Sequence, residues 1–195
     1  MTTKSIPLFP LHTVLFPSGS LPLRIFEPRY LDMISSCMKT EGNFGICLIK
    51  EGSETGKAAL THDTGTLCEI NYFNTDSNGV LCITAFGKQR FTIKSKQTQR
   101  NQLIIAEVTL LPNDPQHPIE DRYLPAVDLL RKLLEQLGYP YAKLDKKYDD
   151  AGWVGSRLVE LLPIRLEQKQ HFLQLEDPSQ RLDELWQLMK EQDLR

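Results

Sequence analysis

The sequence predicts an α+β protein in which a β-rich barrel or strongly curled sheet, residues 1–112, precedes a helical bundle, residues 113–195. Three observations predict it. Between residues 44 and 111 short apolar runs alternate with turn residues, the pattern of many short strands. A proline-rich stretch, 112–118, then ends the strand period. Beyond it apolar residues recur at three- and four-residue spacing, as on the buried stripe of a helix.

Prolines punctuate the first thirty residues. Between them, 13–16 and 21–25 read as short extended segments, with Ser18-Gly19-Ser20 as a turn. Glu27-Pro28 opens a helix, because proline at the first helical position sacrifices no intrahelical hydrogen bond. Tyr30, Met33, Ile34, Cys37 and Met38 form its apolar stripe, and Gly42 can end it. Residues 44–49 are a short apolar strand. Residues 66–73 and 80–86 flank Asp76-Ser77-Asn78-Gly79, where Asn-Gly supplies the positive φ angles of a tight hairpin. Phe91-Thr92-Ile93 alternates like a half-buried strand, and 103–111 is a longer one stopped by Pro112.

In the helical half, Leu124, Val127, Leu130, Leu134 and Leu137 lie on one face before Gly138. Trp153, Leu158, Leu161 and Leu162 form the next face, ended by Pro163, and Leu166 and Leu173 line a third. Asp177-Pro178-Ser179-Gln180 is a helix start with Asp as N-cap. Leu182, Leu185, Trp186 and Met189 are that helix's buried stripe.

Hydrophobic residues make up 41% and charged residues 25%, enough apolar content to build a packed core. The net charge of −2 leaves no overall basic excess to attract nucleic-acid phosphates. Cys37, Cys47, Cys68 and Cys82 form no C-x-x-C pair, and His12, His62, His117 and His171 are scattered, so neither a zinc site nor another cofactor site is expected. The cysteines read as small buried apolar residues in a reducing compartment. Pro7, Pro10, Pro17 and Pro22 break up any secretory h-region, and no apolar run is long enough to span a membrane. The expected location is the cytoplasm.

Catalytic patterns do not emerge. Gly52-Ser53-Glu54-Thr55-Gly56-Lys57-Ala58 has three residues between its glycines where a phosphate loop has four, and Ala58 lacks the hydroxyl that would hold magnesium. It reads as an exposed loop. Carboxylate pairs such as Glu120/Asp121, Asp149/Asp150 and Glu176/Asp177 sit where loops meet helices and suit capping. Lys88, Arg90, Lys94 and Lys96 alternate around Phe91 and Ile93. On a continuous strand they would share one face, a candidate nucleic-acid strip, although a solvated or aggregation-blocking strand face is the more common meaning.

Several segments resemble the amino-terminal domain of Lon-type proteases. They are Ile6-Pro7-Leu8-Phe9-Pro10-Leu11, Val14-Leu15-Phe16-Pro17, the run from Leu21 to Tyr30, and Phe44-Gly45. Gly87-Lys88-Gln89-Arg90-Phe91 is similar to that family's glycine–arginine–phenylalanine strand. Trp153-Val154-Gly155-Ser156-Arg157-Leu158, Leu162-Pro163, Lys169-Gln170, Asp177-Pro178 and Arg181-Leu182 resemble its helical half. The resemblance implies a PUA-like pseudo-barrel followed by a helical bundle. It also implies a domain that recognises clients and carries no ATPase or serine–lysine peptidase, since those activities reside in later domains of Lon-type enzymes. The domain also occurs in cereblon-type receptors, whose zinc-bearing pocket is a separate module.

The function implied is non-catalytic recognition of unfolded or extended polypeptide, as an adaptor or chaperone-like factor beside a separate protease or ATPase. An RNA-binding role for the basic strand is the alternative. The matched residues singled out as a peptide-binding set are Phe16, Phe26, Arg29, Arg90, Trp153 and Arg157. Physically, Glu27 can cap free N–H groups while Arg29 forks onto a carboxylate or carbonyls. Phe9, Phe16 and Phe26 suit packing. Trp153 and Arg157, one helical turn apart, either form an aromatic–guanidinium shelf or pack inward, with Arg157 paired to an acidic neighbour.

Overall fold

The first strand runs straight through two prolines. The computed structural model describes residues 2–194, and β1 (Thr3–Leu11) contains both Pro7 and Pro10. Its neighbours explain this. β7 (Ile104–Leu110) pairs antiparallel with Thr3 to Leu8, and β3 (Phe44–Glu51) pairs parallel with Leu8 to Leu11 on the opposite edge. The Leu110 N–H donates to the Thr2 carbonyl at 3.0 Å, so even-numbered residues of β1 direct their backbone groups toward β7 and odd-numbered ones away. The Pro7 nitrogen therefore faces away from β7, before β3 begins to pair. The Pro10 nitrogen faces the β7 side after β7 has ended. Neither proline removes a ladder hydrogen bond.

Residues 13–16, expected as an extended segment, form an irregular loop instead. Val14, Leu15 and Phe16 are buried, and the Leu15 carbonyl accepts from the Thr66 hydroxyl at 2.5 Å. The positive φ in the following turn falls on Ser18 (62°), and β2 (Ser20–Ile25) follows. Helix α1 (Pro28–Thr40) starts at Pro28 and ends with Glu41 left-handed at φ 51°, one residue before the expected Gly42.

β4 (Leu60–Thr61) is a short partner of β3, and β5 (Thr64–Thr75) and β6 (Leu81–Thr98) form the long hairpin. Only Gly79 of its Asn-Gly turn has positive φ (79°). The Asp76 carboxylate does the remaining work, accepting from the Asn78 and Val80 N–H groups at 2.8 and 3.0 Å.

The order β1-β7-β6-β5-β3 closes on itself through the parallel β1–β3 pair, giving a five-stranded barrel; β2 lies along the first third of β6. Side chains from all five strands fill the barrel: Ile6, Leu8, Cys47, Leu67, Phe91, Ile93, Ile104, Ala106 and Val108. Phe91 fits because Gly45 and Gly65 face it; a Cβ on either would lie 2.7–2.8 Å from its ring. On the outer side, α1 packs Tyr30, Met33, Ile34 and Cys37 over Phe9, Ile25, Phe44, Ile83 and Ala85. Phe9 and Tyr30 stack at 4.1 Å, and burial pushes the Tyr30 hydroxyl up to about 12.

The chain divides into two compact units, one ending at Pro112 and one starting at Asn113. In the second, α3 (Ala151–Leu161) contacts α2 (Leu124–Gln136), α4 (Leu166–Gln174) and α5 (Pro178–Glu191). Asp150 caps α3 by accepting from the Gly152 N–H, and Asp177 caps α5 through Ser179, as their sequence positions predict. Leu124 departs from the expected stripe. It is exposed at the helix start, while Ala126, Val127, Leu130 and Leu134 are buried. Arg181 is fully buried, donating to the Phe172 and Leu175 carbonyls, the Ser156 hydroxyl and the Asp114 carboxylate. Among the described residues no helix is long and apolar enough to cross a membrane.

Candidate functional site

The barrel's outer sheet face extends beyond the cover of α1. Directly paired residues share a face, so register identifies the side chains that line it. Ile70, Ala85 and Leu21 form one cross-strand row on β5, β6 and β2; Phe73, Ile83 and Leu23 form the next. A bulge between Ile70 and Tyr72 keeps Ile70 and Phe73 on this core-facing side despite their odd spacing. Ala85 and Ile83 are buried, yet Phe73 is 55% exposed, and Leu21, Leu23 and Ile70 are only partly covered. From α1, Leu31 and Met38 add apolar surface two helical turns apart. The result is an apolar platform beside the helix.

Two grooves border the end of α1. One, about 310 Å³, lies between Met38 and Glu41 on one side and Glu69, Ile70 and Phe73 on the other. The second, about 560 Å³, runs between α1 and the β1–β7 edge over Met33, Leu103 and Ile105, with Asp32, Ser36 and Asn101 at its rim. Cys37, Gly42 and Asn43 line both, so the grooves adjoin. The surface offers apolar floor, polar rim and no strongly charged centre, a composition suited to side chains of another polypeptide. Among the described residues no group of three or more His, Cys, Asp or Glu side chains is placed to hold a metal ion.

The residues singled out from the sequence fall elsewhere. Of Phe16, Phe26, Arg29, Arg90, Trp153 and Arg157, only Phe26 is at the surface (63% exposed); the other five are buried. Phe26 follows Ile25, which pairs with Leu81 at the platform's end. Arg29 is structural: its Nε and Nη2 donate to Glu27 Oε2, and its Nη1 donates to the Gln102 carbonyl. Glu27 does not cap α1. Its Oε1 accepts from the Gly56 N–H at 2.7 Å and so pins the exposed loop between β3 and β4. Trp153 packs edge-on against Tyr148 at 5.5 Å, and Arg157 pairs with Glu160 at 2.8 Å, so no shelf is presented. Burial holds the Arg157 guanidinium below its ordinary value, opposed by Glu160.

Nor does the basic strand form one face. Arg90 is buried, Lys88 pairs with Glu69 at 3.1 Å, and Lys96 is held by Thr61 and Asp63. A bulge between Ile93 and Ser95 breaks the alternation at Lys94. Nothing in the sequence marks Phe73 or Leu31 as surface residues, and Met38, on the apolar stripe that the spacing predicts, is 39% exposed. Apolar identity shows a preference for burial; whether enough neighbours exist to satisfy it is a tertiary property.

The profile of the ATP-dependent protease La (LON) substrate-binding domain matches residues 5–191. The chain belongs to the Lon substrate-binding domain family. A crystal structure of a Lon N-terminal domain protein from Xanthomonas campestris is 34% identical, with a TM-score of 0.78, covering 94% of this chain and 97% of that one. The N-terminal domain of the Mycobacterium avium complex Lon protease, 17% identical with a TM-score of 0.62, shares the fold over 93% of this chain and 96% of its own. Protein cereblon from Danio rerio is 25% identical over 115 residues, and that from Xenopus tropicalis 25% over 113. These cover 57% and 56% of this chain but only 26% and 24% of the cereblons. The chain thus matches about a quarter of the length of those relatives. As a Lon N-terminal-type domain it is a substrate-recognition module by family.

Proposed function

We propose that this Lon-type domain binds unfolded or extended polypeptide on the platform beside α1, as an adaptor or chaperone-like factor, and performs no chemistry itself. Cutting and ATP hydrolysis would belong to a separate protease or ATPase. The single observation that carries the reading is Phe73: it stands on the core-facing side of the sheet yet keeps more than half its surface in water. Covering such a ring and its apolar neighbours contributes about 1–2 kcal/mol per large side chain, enough for modest affinity once the client's ordering cost is met. Cys37, Cys47 and Cys68 are buried and none of the four cysteines is in a disulfide, which suits a reducing compartment, and we place the protein in the cytoplasm on that basis.

The test compares binding of reduced, carboxymethylated α-lactalbumin with binding of its native form. The unfolded form is expected to bind at least tenfold more tightly. A Met38→Ser, Phe73→Ser double variant should lose about tenfold of that affinity while keeping its melting temperature. Equal binding of folded and unfolded forms removes the proposal. Degradation of casein by the purified protein, with or without ATP, would overturn the non-catalytic part.

A further inference from the structure

We propose that the client is held as an added β-strand, hydrogen-bonded to the open edge of β1 at Thr3 and Ser5. This deepens the polypeptide-recognition reading and rests on it. The backbone groups of odd-numbered β1 residues point away from β7, a parity set by the Leu110–Thr2 hydrogen bond. From Leu8 onward that edge is occupied by β3. Before it, no described strand pairs there, so the N–H and C=O of Thr3 and Ser5 face outward. Residues 4–7 form one wall of the 560 Å³ groove, with α1 opposite.

An extended chain satisfies this geometry in a way a helix does not. It supplies backbone acceptors and donors at the strand repeat, so Ser5 can exchange two hydrogen bonds with one client residue. The edge from Thr3 to Pro7 is five residues, about 17 Å at roughly 3.4 Å per residue. Alternate client side chains would descend toward Met33, Cys37, Leu103 and Ile105, while the intervening ones face Lys4 and the solvent. Pro7 closes the edge: it has no N–H to offer, and β3 takes over at the next residue. The preferred client is therefore a short stretch alternating apolar and polar residues, recognised through its backbone.

Amide hydrogen exchange on the unsubstituted protein reads this directly. With saturating reduced, carboxymethylated α-lactalbumin, exchange at Thr3 and Ser5 should slow at least tenfold, while Lys4 and Ile6, already paired to β7, change little. Client binding without protection at Ser5 overturns the added strand. Protection that develops without client and rises with protein concentration also overturns it, assigning the edge to a second copy of the chain. Ser5→Pro removes the outward N–H without touching the β7 ladder and should weaken client binding about tenfold. If the Met38, Phe73 variant loses binding but a folded Ser5→Pro does not, the added strand is wrong and platform recognition stands. If the unsubstituted protein binds no unfolded client, the recognition reading itself is lost.

Discussion

Glu27 and Arg29 form a clamp that ties three separate segments of the barrel together. Glu27 Oε2 accepts from Arg29 Nε and Nη2 at 2.9 and 2.6 Å, while Oε1 accepts from Gly56 at 2.7 Å. Arg29 then reaches the Gln102 carbonyl at 2.9 Å, and the Gln102 side chain accepts from the Ala58 N–H at 3.2 Å. One buried fork thus orders the start of α1, the loop between β3 and β4, and the turn before β7.

Removing the guanidinium leaves Glu27 Oε2 and the Gln102 carbonyl without their donors, while Oε1 keeps Gly56. Arg29→Ala is expected to cost about 2–4 kcal/mol, and Arg29→Lys more than half of that, because an ammonium cannot reproduce the fork. Chemical denaturation measures it. Faster exchange at Gly56 should accompany the loss; a destabilisation under about 0.5 kcal/mol would show the clamp to be incidental.

Asp76 gives the hairpin turn a pH signature. Its carboxyl is held below the ordinary range, first by the Val80 N–H; desolvation, the next-largest effect, opposes this, and Asn78 and Arg24 add to the lowering. A depressed folded-state value means that the stabilisation is fully present above the ordinary aspartate range and disappears as pH falls through the folded value. Asp76→Asn keeps an acceptor but loses the charge. Its melting temperature should lie below that of the unsubstituted protein near pH 7, and the gap should narrow as pH falls below the ordinary aspartate range; a gap of constant size would contradict the assignment.

In the helical unit, Arg181 joins α5 to the carbonyls ending α4, to Ser156 of α3 and to Asp114. Arg181→Ala should destabilise by about 3–5 kcal/mol, since it strands several groups at once. Arg181→Met, which refills the volume without the donors, should recover only part of this. Full recovery in urea titrations would mean that packing rather than hydrogen bonding holds the site.

Gly65 tests the barrel interior. A Cβ there would meet the Ile46 carbonyl at 2.5 Å, Cys47 Sγ at 2.6 Å and the Phe91 ring at 2.8 Å. Gly65→Ala is expected to cost about 1–3 kcal/mol by overpacking. Shortening the ring in a Phe91→Leu background should relieve part of that cost in a double-mutant cycle. Additive effects would show that the ring is not the obstacle.

Local chemistry made much of this protein readable in advance. The helix starts at Pro28, Asp150 and Asp177, the hairpin around Gly79 and the change from strands to helices each depend on residues within a few positions of one another, and each stands where its residues predict. The motif Gly87-Lys88-Gln89-Arg90-Phe91 is one of the stretches that carry the family resemblance, yet its last two residues are interior: Phe91 fills the barrel and Arg90 is buried beside it in sequence. What the fold alone decided is which matched residues reach solvent. Alternation along β6 would put four cations on one face, but a bulge, two ion pairs and one burial disperse them. The register shift between Ile70 and Tyr72 sets which face Phe73 takes, and both Phe73 and Met38 stay exposed. Exposure depends on neighbours distant in sequence, so apolar spacing can nominate a surface but not reveal it, whereas caps and turns carry their own instructions.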